Sequence, residues 1–191
     1  MAKHVFITVS HAGCPEAYEP RECDRRALEA ARAFDTALSP SFQVHFFANT
    51  TILRENCDLN RARCGDNRHY YFGTIPEMHL QVAEAVRRVG PRDIAFLLDV
   101  HSFPDSASFG GTDANVVFLE APSPWSARIK GSLTSYDWTT ASAVNHFLTY
   151  MRAMRVPALL VEIREDTRVY PRDALLQDVD RIARVLSETE K

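Results

Sequence analysis

No run of apolar residues in this 191-residue sequence approaches the roughly 20 needed to cross a bilayer. Near the N-terminus only the short stretch Val5 to Val9 is largely apolar, too short for the core of a secretory signal, so a cytoplasmic location is expected. Lysine is scarce: Lys3, Lys130 and Lys191 stand beside 19 scattered arginines, and the net charge is −3. No basic field exists to attract nucleic acid or an anionic membrane, and neither is expected as a partner. The four cysteines, Cys14, Cys23, Cys57 and Cys64, lack the C-x-x-C pairs of a structural zinc site. Without an export signal they read as reduced thiols, a Cys14–Cys23 or a Cys57–Cys64 bridge being the alternative. Also absent are a G-x-S-x-G elbow, a phosphate-binding P-loop and a G-x-G-x-x-G turn. With 46% hydrophobic and 25% charged residues, the chain has the composition of an ordinary globular protein. Its length suits one domain over residues 1–191.

Along the chain, strand and helix signals alternate. Strands are expected at 4–10, 42–48, 94–100, 115–120 and 157–163. Helices are expected from Asp24 to about Ser39, Pro76 to Arg88, Thr139 to Met154 and Pro171 to Ser187. Residues 49–73 have no clear period and read as a long loop, which in a compact domain is usually functional. Alternating elements predict a three-layer α/β sandwich with a mostly parallel or mixed central sheet. Ligands bind such sheets beyond the carboxyl ends of strands. Three strands here end in residues capable of chemistry: one at His11, one at Asp99 and His101, one at Glu162.

Asp99 and His101 alternate with Val100, so they share one strand face. An aspartate beside a histidine can fix its tautomer for a metal, or simply close the strand as a structural pair. His11 precedes a loop rich in carboxylates, Glu16, Glu19, Glu22 and Asp24. Two histidines and one acid are the ligand set of a hydrolytic zinc site with an open position. Asp24 alternatively caps the helix that follows it. Glu162 ends an apolar run, where burial would raise its pKa toward that of a general base; its other role is an ion pair with Arg164. Arg54, Asn60 and Arg61 lie in the long loop and suit an anionic substrate, or a solvated loop. The aromatics His69 to Phe72, with Tyr136 and Trp138, read as packing or pocket wall. His79 is expected at a helix surface or rim. Gly110-Gly111 is a candidate turn.

Four short motifs in order, Ser10-His11-Ala12-Gly13, Asp58-Leu59-Asn60-Arg61, Asp99-Val100-His101-Ser102 and Val161-Glu162-Ile163-Arg164-Glu165-Asp166, resemble the N-formylglutamate amidohydrolase family. That family lies within the zinc carboxypeptidase-like and aspartoacylase-like hydrolases. The resemblance implies a phosphorylase/hydrolase-like fold holding one zinc ion per chain. It would place His11, Asp24 and His101 on the metal, with Glu16 as the alternative carboxylate and Asp99 orienting a ligand. It implies substrate binding by Asn60 and Arg61, carbonyl polarisation by Arg54, and acid–base chemistry by Glu162. The implied substrate is a small acidic N-acyl amino acid or peptide; the alternatives are a metallocarboxypeptidase or peptidoglycan-type amidase with the same zinc site, or a catalytically inactive module that uses the Arg–Asn loop to bind an anion. The chain is shorter than typical members, and its late motif departs from the histidine-degradation branch.

Overall fold

A computed structural model describes residues 3–14, 23–65, 73–104, 113–140 and 145–190. Among them runs one six-stranded sheet in the order β2-β1-β3-β6-β4-β5. Its strands are β1 (His4–Val9), β2 (Gln43–Ala48), β3 (Ile94–Phe103), β4 (Val116–Glu120), β5 (Asp137–Thr140) and β6 (Ala158–Arg164). Neighbouring strands are parallel except for β4 against β6. This is the expected mixed α/β sandwich.

Strand alternation sorts the two faces. Phe96, Leu98 and Val100 of β3 join Val5, Ile7 and Val9 in one core, with α1 (Ala27–Leu38), α3 (Pro124–Ser132) and α5 (Arg172–Thr189). Leu97 and Phe6 face the other way, into a second core with α2 (Glu77–Val89) and α4 (His146–Ala153). Thr8, Asp99 and His101 continue that second face toward the carboxyl ends of β1 and β3. All ten β3 residues are buried, as befits a central strand covered on both sides.

Several sequence expectations need correction. β3 runs on to Phe103, so His101 lies within the strand rather than after it. The helix expected at Thr139 begins instead at His146, because residues 137–140 pair with β4 as an edge strand. The β-rich Asp-Trp-Thr-Thr stretch outweighs a helical reading once β4 offers a partner. Helix α3 was not anticipated; its Ser123 cap and Pro124 at the first position are the local signal. Tyr136 and Trp138 pack on Phe118, as expected of core aromatics. His79 is buried rather than on a surface or rim, its Nε2 hydrogen-bonded to the Leu59 carbonyl at 2.9 Å. Finally, the cysteines are not reduced thiols: Cys14 is bonded to Cys23 and Cys57 to Cys64. The His69 to Phe72 cluster, Gly110-Gly111, Glu16, Glu19 and Glu22 lie outside the described residues.

Candidate metal centre

β1 delivers the chain to His11, and two contacts hold that exit in place. Asn49, after β2, donates to the Ser10 carbonyl at 2.9 Å and to that of Ile52 at 2.7 Å. Gly13 passes so close to this turn that a Cβ would sit 3.1 Å from the Ile52 oxygen, a tight approach that glycine accommodates. Asp24 returns to the same place, its amide donating to the His11 carbonyl at 2.8 Å. Position 24 is not the helix cap; Arg26 holds that place in α1, with no side-chain cap bond. The Asp24 carboxylate is thereby free to turn inward.

It turns toward both histidines. Asp24 Oδ2 lies 2.6 Å from His101 Nδ1 and 3.5 Å from His11 Nδ1. One donor atom from each of these three buried residues falls within 4.8 Å of the others. The far ring nitrogens are each held by a carboxylate. His11 Nε2 meets Asp58 Oδ1 at 3.0 Å, and His101 Nε2 meets Asp99 Oδ2 at 3.0 Å. Asp99 is itself fixed: Thr8 donates to Oδ1 at 2.7 Å and Asn145 to Oδ2 at 2.8 Å. Both imidazoles thus present Nδ1 toward Asp24.

A metal ion fits this donor set. His11 Nδ1 is buried and has no hydrogen-bond partner, an uncompensated loss inside a protein. A cation coordinated by it, by Asp24 and by His101 removes that deficit, and the carboxylate–histidine pairs outside are the usual support of such a site. The electrostatics agree. Burial opposes charge on Asp24, yet His101 and His11 more than offset it and hold the carboxyl far below its ordinary pKa. Burial also disfavours the imidazolium of His101, but Asp99 and Asp24 together raise its pKa well above that of an ordinary histidine. The site accumulates negative charge that a proton or a metal ion must neutralise.

Glu162 stands opposite His101 in the β3–β6 register, on the same face. Burial raises its pKa to about 8, with Asp24 and Asp99 adding to the rise and His101 opposing it. No described side chain hydrogen-bonds its carboxyl group. Arg164 instead extends over the Phe103 ring, its guanidinium 5.9 Å from the centroid.

The long loop brings Asp58, Asn60, Arg54 and Arg61 to the same rim. Asp58 lies between Arg54 Nε at 3.8 Å and Arg61 Nε at 3.6 Å, and Arg61 is half exposed. Burial raises the Asp58 pKa, but the His11 hydrogen bond and Arg54 prevail and bring it to about 2. Asn60 accepts from Asn145 at 3.3 Å. Asp58, Thr8 and Asn145 had no role in the sequence reading. Asp58 sits inside a motif already singled out, whereas Asn145 was hidden in the over-long helix.

No family model and no curated protein sequence matches the chain. Solved structures do. A gene product of Agrobacterium tumefaciens is 13% identical with a TM-score of 0.67, the alignment covering 98% of this chain and 90% of that one. The N-acetylmuramoyl-L-alanine amidase AmiC2 of Nostoc punctiforme is 14% identical with a TM-score of 0.52, over 98% and 97%. A point mutant of murine aminoacylase 3 is 14% identical with a TM-score of 0.56, over 99% of this chain but 64% of that one. The chain shares its fold with these amidase and aminoacylase structures.

Proposed function

We propose that this protein is a zinc-dependent hydrolase of the C–N amide bond in a small acidic N-acyl amino acid or peptide. The observation that carries the reading is the buried His11–Asp24–His101 set with its unpartnered Nδ1, and Glu162 beside His101 on the neighbouring strand. Zinc bound there supplies Lewis acidity that polarises the scissile carbonyl and acidifies the attacking water. Glu162 takes a proton from that water and hands it to the departing amine nitrogen, a task suited to a carboxyl with a pKa near neutrality. Arg54 supplies positive charge for the developing oxyanion. Asn60 keeps its amide hydrogens available for a substrate carboxylate, and Arg61 offers a bidentate fork on the exposed rim. N-formylglutamate and related N-acyl amino acids are the first substrates to try.

Replacing Glu162 with Gln tests the assignment directly. Turnover of the best N-acyl substrate should fall by about three orders of magnitude or more, with one zinc per chain retained by mass spectrometry. Normal kcat in that variant sinks the assignment.

A second reading rests on the fold shared with an amidase. The similarity to the Nostoc amidase covers nearly all of both proteins, whereas the aminoacylase is half as long again. A peptide or peptidoglycan-type amide is therefore the alternative substrate. Hydrolysis of free N-acyl amino acids against that of muramoyl-peptide fragments separates the two.

A further inference from the structure

At the other end of the sheet lies a cleft of about 390 Å³ that the proposed reaction does not use. Its lining includes Pro157 and Ala158, where β6 begins. Glu162 lies four residues further along that strand, roughly 13 Å away at about 3.3 Å per residue. The cleft is therefore separate from the metal centre. Trp125, Leu148, Val156 and Pro157 give it an apolar wall.

Arg128 from α3, Arg152 from α4 and Arg155 just beyond α4 all open onto it. No carboxylate lines the cleft among the described residues. None of the three guanidinium groups makes a hydrogen bond or ion pair with a described side chain. The nearby acid Glu190 is engaged by the Trp125 indole at 2.8 Å. All three are exposed, and together they give the cleft a positive rim in a chain of net charge −3. The N-terminus of α3 adds its partial positive charge to the same rim, where Ser123 and Pro124 line the cleft.

Arg155 supplies an independent observation. Its φ is +58°, the left-handed region, at the position after a helix C-cap where glycine usually stands. A side chain there is strained. The left-handed ending turns the chain at the rim of the cleft, where Arg155 stands.

We infer that this cleft is a second binding site, for a phosphate monoester carried on an apolar body. The planar guanidinium forks match phosphate oxygens bidentately, and the Trp125–Leu148–Val156 wall receives the body. Occupied by a dianion, the site would form charge-assisted hydrogen bonds to these guanidinium groups.

The test is calorimetric titration of the zinc-loaded protein with phenyl phosphate, with inorganic phosphate and benzyl alcohol as comparison probes. Phenyl phosphate should bind once per chain, and tighter than either comparison probe by about tenfold or more. Arg155→Gly keeps the backbone in a conformation glycine prefers, so it removes the charge without threatening the fold. It and the double variant Arg128→Gln/Arg152→Gln should each weaken phenyl phosphate by about tenfold or more. Hydrolysis at the metal centre should be unchanged in both. Absence of binding at millimolar probe, equal affinity for inorganic phosphate, or undiminished binding in both variants overturns the inference. The last outcome would locate the anion elsewhere, such as at the metal.

Discussion

Asp58 illustrates how one side chain ties two functions together. It accepts from His11 Nε2, from the Asn60 amide at 3.0 Å, and faces two arginines. Fixing His11 through its far nitrogen leaves Nδ1 aimed at Asp24. Asp58→Asn removes the charge that makes the imidazole a better donor, while the arginines lose their anion. The expected result is zinc affinity lowered about 10- to 100-fold, measured by chelator competition. An unchanged affinity would mean that His11 is held without Asp58. His11 and His101 were legible in the sequence as histidines carried by apolar strands, whereas Asp24 stood among several loop carboxylates and was singled out, with Glu16 as the alternative, only through the family resemblance. Asp58 was not, because which aspartate faces an imidazole 47 positions away is a tertiary fact.

At the scale of elements, the start of α4 is chemically unusual. Asn145 caps it by accepting from the Leu148 amide at 2.9 Å, and the same side chain donates to Asp99. One residue thus couples a helix terminus to the histidine support of the metal centre. Next to it, His146 stacks on His79 at 4.0 Å. Burial first, then the charge of His79, lowers the His146 pKa to about 4. In the unfolded chain it would titrate near 6.5. The native state therefore binds this proton later than the unfolded state does, and stability present above pH 6.5 is lost as pH falls toward 4. His146→Gln should flatten that portion of the acid limb in thermal melts of the metal-free protein. A limb of unaltered slope would assign it to other groups. The sequence reading placed the long central strand and the flanking helices because hydrophobic period survives folding. It missed β5, whose four residues become a strand only when β4 lies alongside. It missed the extent of β3 as well, because the strand carries a polar tail that only burial against β6 makes tolerable.

For the whole molecule, the two disulfides change the sense of the chain. Each has one sulfur immediately before a carboxylate of the site: Cys23 before Asp24, Cys57 before Asp58. They close loops nine and seven positions long, each worth about 2–3 kcal/mol by restriction of the unfolded chain. Disulfides persist in oxidising surroundings, which sits poorly with the cytoplasmic location expected from the sequence. Among the described residues no helix is long and apolar enough to cross a membrane. Reduction by a phosphine, which unlike a dithiol does not compete strongly for zinc, should lower the melting temperature by several degrees and weaken zinc binding together. A melting temperature and zinc affinity both indifferent to reduction would show that the sulfurs contribute nothing to the site.

The central position of β3 carries a kinetic consequence. Asp99 and His101 belong to a strand paired on both sides, so their amides should exchange with solvent only through global unfolding. Asp24 and Asp58 belong to connecting segments, each tied by an adjacent disulfide as well as by hydrogen bonds. The centre therefore joins a central strand paired on both sides to two disulfide-tied connecting segments. Release of a bound ion would follow the opening of the loops rather than the unfolding of the sheet, and its rate would respond to a reductant far more than to a mutation in the core.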